Sequence, residues 1–137
     1  MKSLKIIYNL SYDTSGFDSG LINWYNKLID KSYEELVSAD VCKMIRQGIL
    51  NDVATQRAVD LFFEDPYDGE HNDGELLGLL VSLNFNQICR SDIIKLTELL
   101  RHLKQDYTRF EWLDEESQAK YGEDIDKILQ KKELLES

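Results

Sequence analysis

The spacing of the apolar residues constrains this chain most, because from residue 19 onward it follows the 3.6-residue period of an α-helix. The clearest stripe holds Ile93, Leu96, Leu99, Leu100 and Leu103. Pro66 is the one proline, and no Gly- or Ser-rich linker marks a domain boundary. With 137 residues, the chain suits one domain with one hydrophobic core. These features predict an all-α fold, a compact single-domain bundle of about six helices.

Capping residues predict where these helices begin and end. Ser32, with Glu35 three residues later, predicts a capping box and a short turn. Ser38 predicts the start of a longer helix, which reaches residue 47 before Gly48 loosens or ends it. A first helix, capped by Asp18 or Ser19, is predicted from the shared face of Leu21, Tyr25, Leu28 and Ile29. The remaining predictions are a helix over 52–64 stopped by Pro66, a helix over 76–83 capped by Asp73, a helix opened by Ser91 or Asp92, and a last helix from about residue 116.

Two segments depart from simple amphipathic helices. Residues 76–83 are apolar nearly all round, so this helix is expected at the centre of the domain, with Leu77 and Leu80 buried. Residues 4–12 are apolar and partly alternating, which predicts a short N-terminal strand or an extended arm. The expected division of the domain over 1–137 is an arm (1–17), a core (18–83) and C-terminal helices (84–137).

Bulk features indicate where the protein works. The N-terminus lacks the apolar region of a signal peptide, and no apolar run approaches the roughly 20 residues that span a bilayer, so a cytoplasmic protein is expected. Cys42 and Cys89 lie among apolar residues with helical spacing. They are predicted to be buried free thiols rather than a disulfide.

The charge balance limits the possible partners. Lysine and arginine total 16 against 26 aspartates and glutamates, for a formal net charge of −10. Such a chain repels nucleic acid and anionic membranes, so neither is an expected partner. A basic protein would be attracted. The alternative interpretation is that the acidic surface only keeps the protein soluble.

No set of residues predicts catalysis. Neither His71 nor His102 is spaced with a nucleophile or with metal ligands, and His102 is expected in a surface or boundary position. There is no Gly-rich phosphate loop and no zinc spacing. The acidic loop over 65–75 lacks the glycine and the closing glutamate of a calcium loop. No catalytic residue, cofactor or metal site is therefore predicted, and the protein is not expected to be an enzyme.

Two acidic stretches are the candidate binding residues. Residues 58–89 contain seven acids and no lysine or arginine, and residues 111–126 contain seven acids against Lys120 alone. Each stretch carries an aromatic residue, as expected of a surface that binds a basic protein. The alternative is a solvated acidic face whose aromatic residue packs in the core. The predicted contact residues are Asp65, Tyr67, Asp68, Glu70, Asp73, Glu111, Trp112, Asp114 and Glu115.

Five segments carry a family resemblance. They are LINWYNKL at 21–28, SYEEL at 32–36, DVCKMIRQ at 40–47, EDP at 64–66 and DGELL at 73–77. Their order is a short capped turn, an Asp-initiated helix ending in Gln, an Asp-Pro stop and a Gly-acid-Leu-Leu helix start. This order resembles that of contact-dependent growth inhibition (CDI) immunity proteins, over about residues 20–83.

The resemblance implies a binding partner rather than a reaction. CDI immunity proteins bind the C-terminal toxin domain that a neighbouring cell delivers, and so protect the producing cell. Many such toxins are nucleases with basic surfaces, which agrees with the acidic charge balance. The favoured interpretation is a monomer that neutralises a basic nuclease toxin. The alternatives are an acidic adaptor for another basic protein, and a hydrolase that needs Asp68, Glu70 or Asp73 for turnover.

Overall fold

The computed structural model describes residues 2–13, 20–68, 74–86, 88–131 and 134. Within these residues there are seven α-helices and no strand, which confirms the all-α prediction. The helices are α1 (Leu4–Ile7), α2 (Gly20–Ile29), α3 (Ser38–Gln47), α4 (Asn51–Glu64), α5 (Glu75–Val81), α6 (Arg90–Asp106) and α7 (Glu115–Leu129). Two single 3₁₀ turns lie at Tyr33–Glu35 and Tyr107–Arg109.

The N-terminal segment forms the helical turn α1, so the expected strand or extended arm was wrong there. Ser3 caps the turn, and its Oγ accepts a hydrogen bond from the Ile6 amide at 3.3 Å. Leu4 is buried in the core, and its amide donates to the Lys31 carbonyl at 2.8 Å. A single buried anchor and a local cap favour a helical turn here. The apparent alternation of residues 4–12 was therefore not a sheet face.

The capping box predicted at Ser32 is present. The Ser32 amide and hydroxyl both donate to Oε1 of Glu35, at 3.0 and 2.9 Å. The chain then makes the short turn Tyr33–Glu35, as the sequence predicted. The hydrogen bond from the Ser32 backbone holds the pKa of Glu35 below its ordinary value, because it stabilises the carboxylate.

Helix α3 begins at Ser38, so its N-cap lies one residue before the predicted cap. Val37 occupies the N-cap position and Ser38 is already helical. The carboxylate of Asp40 accepts from the Val37 amide at 3.2 Å and from Lys31 Nζ at 2.7 Å. Gly48 ends the helix in the left-handed conformation, at φ +69°, which confirms its predicted role.

Helix α5 lies at the centre, as predicted from its apolar surface. It packs against α3, α4 and α7. Leu76, Leu77 and Leu80 are fully buried. Helix α6 presents the predicted stripe to the same core but starts before Ser91 and Asp92, with Cys89 at its N-cap position. One cluster of buried apolar side chains extends from Leu4 in α1 to Ile128 in α7.

The two cysteines differ in exposure. Both are free thiols, but Cys42 is buried whereas Cys89 is exposed, so the expected burial of Cys89 was wrong. Its N-cap position explains this, because the first residues of α6 project from the end of the helix into solvent. Within the described residues, no helix combines the length and the apolar character needed to cross a membrane.

Candidate functional site

The structure brings the two acidic stretches together through their aromatic residues. Tyr67 follows α4 and Trp112 precedes α7, yet their ring centroids lie 5.7 Å apart, edge to face. Tyr67 also stacks on Phe110, with centroids 4.1 Å apart and ring planes 10° apart. Tyr67 and Trp112, which the sequence placed in two separate candidate stretches, therefore lie in one region of the molecule.

Five aromatic rings form the centre of this region, which we call the aromatic cluster: Tyr67, Tyr107, Phe110, Trp112 and Tyr121. Tyr121 lies deepest, with 2% of its surface exposed, and its hydroxyl donates to the Pro66 carbonyl at 2.7 Å. Burial raises the pKa of this hydroxyl. Aromatic pairs of this kind add about 0.5–1.5 kcal/mol each beyond the burial of their area. The cluster thus links the end of α4 to α7.

Trp112 and Tyr67 are both half-buried in this cluster. The indole Nε1 of Trp112 donates to the Tyr107 carbonyl at 2.8 Å, which fixes the orientation of the ring. Both rings pack against the hydrophobic core. Each residue is therefore partly exposed to solvent, and neither projects as a free anchor.

Gly74, the first described residue at the end of the acidic loop, lies against this cluster. Its amide donates to the Tyr67 carbonyl at 2.6 Å, and its φ is +76°. A Cβ at this position would lie 2.6 Å from Cδ2 of Tyr121, so only glycine fits. The loop thus starts and ends against the aromatic cluster. Glu70, His71 and Asp73 lie outside the described residues.

Two acids of the first stretch pair with cations that lie outside that stretch. Glu64 lies 4.0 Å from Arg57, and Glu75 lies 3.8 Å from Arg46 of α3. Arg57 and Arg46 both lie outside residues 58–89. The absence of lysine and arginine within those residues therefore overstates the repulsion between their carboxylates. Asp65 and Asp68 are at the start of the loop, where Oδ1 of Asp65 accepts the Tyr67 amide at 3.1 Å.

The second stretch divides into a paired end and an unpaired end. In α7, Asp124 binds Lys120 and Asp126 binds Lys104, each at 2.7 Å. At the other end, among the described residues, no ion pair involves the acids Glu111, Glu115 and Glu116. The uncompensated negative charge is therefore concentrated where the chain enters α7.

Asp114 has a structural task as well as a charge. It occupies the N-cap of α7, and its Oδ1 accepts the Ser117 amide at 2.6 Å. This hydrogen bond lowers the pKa of Asp114. The helix was expected to begin near residue 116, so this cap was not among the sequence predictions. The negative charge of Asp114 therefore also stabilises the first turn of α7.

A groove of about 480 Å³ lies beside the unpaired acids, between α3, α5 and α7. Gly78 of α5 faces it, where a Cβ would come within 3.1 Å of Lys120 Nζ. Its polar lining consists mainly of Arg46, Glu75, Asp114, Glu116, Lys120 and Asp124. Carboxylates outnumber cations in that lining, so the groove suits a basic group. Sequence reasoning missed it, since three separate helices form its walls.

His102 is the one histidine within the described residues, and it lies on the exposed surface of α6. It pairs with Asp106 one turn later, at 3.0 Å, and its side chain is mostly exposed. This confirms the surface position expected from the sequence. In the part of the chain that the structure describes, no group of three or more His, Cys, Asp or Glu side chains is placed to hold a metal ion.

Comparison with protein families identifies the relationship. The model of the family described as CDI immunity proteins matches residues 7–103. The chain belongs to this family. The match confirms the resemblance over about residues 20–83 and extends it back to residue 7, at the end of α1, and forward through most of α6. Comparison with curated proteins gives no match. The Trp112 segment and α7 lie beyond the residues that match the CDI immunity proteins.

Proposed function

We propose that this protein binds the C-terminal toxin domain of its cognate CDI effector and neutralises it, so that the producing cell is protected. The observation that carries the proposal is the family match over residues 7–103. Members of a family of immunity proteins act through a partner, and the acidic region described above is a suitable surface for one.

The proposed partner is a basic nuclease domain. A formal net charge of −10 attracts a basic protein over distances of about a Debye length, roughly 8 Å at physiological salt. Nucleases carry basic active-site surfaces because their substrates are polyanions. A nuclease meets its substrate inside the cell, so we propose that the inhibitor binds the toxin in the cytoplasm. We also propose that the inhibitor acts as a monomer.

The proposed mode of action is tight binding without turnover. The predicted contact residues supply acceptors of hydrogen bonds and partly buried rings: Asp65, Tyr67, Asp68, Glu70, Asp73, Glu111, Trp112, Asp114 and Glu115. Such groups complement a basic surface, and each inhibitor molecule then occupies one toxin molecule.

Titration of toxin activity tests the proposal. The toxin for this test is the C-terminal domain of the cognate CDI effector, whose gene should lie directly upstream, and the readout is cleavage of DNA or RNA. We expect activity to fall linearly to an end point near one inhibitor per toxin. An unrelated acidic protein of equal net charge, as the control, should leave the activity unchanged. Complete inactivation by a substoichiometric amount would show a catalyst and contradict the proposed mode.

A further inference from the structure

Leu113 is the most exposed large apolar side chain among the described residues, with 86% of its surface accessible. It lies between Trp112 of the aromatic cluster and Asp114, the N-cap of α7. A single exposed leucine is common on protein surfaces. Its surroundings distinguish this one, because both its backbone support and its charged neighbours have the features of a binding anchor.

The backbone on both sides of Leu113 is held in place. The Trp112 amide donates to the Phe110 carbonyl at 3.1 Å, and the Trp112 indole donates to the Tyr107 carbonyl at 2.8 Å. On the other side, Asp114 accepts the Ser117 amide at 2.6 Å. An apolar side chain on a pre-ordered segment loses little conformational entropy when it binds.

Carboxylates surround Leu113 in the chain. Glu111, Asp114, Glu115 and Glu116 all lie within three residues of it, and none of the four makes an ion pair among the described residues. An apolar centre with a charged rim is the usual composition of an interface hot spot. The rim here is negative, so the complementary partner surface is basic.

Charge also separates Leu113 from the exposed apolar residues of α1. Ile6 and Ile7 of α1 are 64% and 53% exposed, but Lys2 and Lys5 are their neighbours. A basic partner would be repelled from α1 and attracted to the segment around Leu113. The groove reinforces this choice, because Asp114 and Glu116 line it next to Leu113.

We infer that Leu113 inserts into an apolar depression on the basic surface of the toxin domain, and that a lysine or arginine beside that depression enters the groove between α3, α5 and α7. This inference rests on the proposed function. It places the centre of the interface at a residue beyond the family match, with Trp112 supporting Leu113 from behind rather than acting as the main anchor.

The test compares Leu113→Ala with Ile6→Ala, which removes a similar exposed side chain from α1. Binding to the upstream-encoded toxin domain is measured by surface plasmon resonance. We expect Leu113→Ala to raise the dissociation rate by about 30-fold and to leave the association rate within about twofold. Ile6→Ala should bind as the parent does. Equal melting temperatures for the three proteins would show that the fold is intact.

Other results would overturn the inference in distinguishable ways. If the parent binds one toxin domain tightly and Leu113→Ala binds equally well, the interface lies elsewhere and the proposed function stands. A loss confined to Ile6→Ala would move the interface to α1. If the parent does not bind the toxin domain, the proposed function fails and the inference fails with it. If Leu113→Asp converts a dimer of the parent to a monomer in sedimentation experiments, Leu113 covers a second copy of this chain.

Discussion

At the scale of single residues, Arg57 shows how the fold accommodates a buried charge. Only 8% of its surface is exposed. Its Nε donates to the Leu36 carbonyl at 3.0 Å and its Nη2 to the Glu34 carbonyl at 3.1 Å, while the guanidinium lies 5.3 Å from the centre of the Tyr33 ring. One side chain thus satisfies the carbonyls of the turn Tyr33–Glu35 and fastens that turn to α4.

Replacing Arg57 should therefore cost much more than replacing an exposed arginine. Arg57→Ala leaves buried carbonyls without donors and is expected to lower the free energy of unfolding by about 3 kcal/mol. The control is Arg46→Ala, since the Arg46 side chain is 46% exposed and its pair with Glu75 spans 3.8 Å. That change should cost less than about 1 kcal/mol. Urea denaturation measures both, and equal losses would contradict the structural role of Arg57.

Alanine substitutions at two glycines distinguish the cost of backbone strain from the cost of steric overlap. Gly48 and Gly74 both have positive φ, at +69° and +76°. A Cβ at Gly48 would meet nothing within 4 Å, whereas one at Gly74 would overlap Tyr121. Gly48→Ala should thus cost about 1 kcal/mol for the backbone alone, and Gly74→Ala should cost a further 1–3 kcal/mol or so by overpacking. Equal losses in urea denaturation would show that the aromatic cluster yields to the added methyl group.

At the scale of secondary structure, the start of α7 depends on a charged cap. The pKa of Asp114 lies below its ordinary value of 3.8, because the Ser117 amide donates to the carboxylate. The unfolded chain therefore binds a proton at higher pH than the folded protein does. The stabilisation by this carboxylate is complete above about pH 4 and is lost as the pH falls through the lowered pKa.

The corresponding prediction concerns the slope of melting temperature against pH. The neutral cap in Asp114→Asn keeps an acceptor but has no proton to gain, so its melting temperature should fall less steeply than that of the parent below about pH 4. Glu111→Gln is the control, since Glu111 makes no hydrogen bond or ion pair within the described residues. This variant should keep the slope of the parent. Identical slopes for Asp114→Asn and the parent would show that the cap is not linked to protonation.

At the scale of the whole molecule, the uneven distribution of unpaired acids should guide the partner. Glu111→Gln combined with Glu115→Gln removes two of these charges near Leu113. Glu34→Gln combined with Glu98→Gln makes the same change in net charge on other exposed parts of the surface. Both double variants keep the buried core unchanged.

We expect the first double variant to bind the toxin domain about 3–10 times more slowly at low salt, with a flatter dependence of the association rate on salt. The second should stay within about twofold of the parent. Stopped-flow measurements at low and high salt compare the variants. Equal association rates would mean that net charge, rather than the placement of these acids, controls the encounter.

Much of the fold could be predicted from the sequence, because its signals act within about four residues. The capping box at Ser32, the left-handed end at Gly48 and the stop at Pro66 each depend on local hydrogen bonds and local backbone geometry. The central position of α5 followed from its lack of a polar face, since such a helix has no side that favours water. The order of these local signals was also sufficient to indicate the family.

Only the tertiary structure decided which elements meet. Periodicity shows which face of a helix is buried but not which helix covers it, so the contact between Tyr67 and Trp112 and the groove beside α5 had no sequence signal. The pairing of Glu75 with Arg46 required two helices to approach. The exposure of Leu113 was equally hidden, because an isolated leucine among acids belongs to no periodic pattern and its burial depends on whether another element covers it.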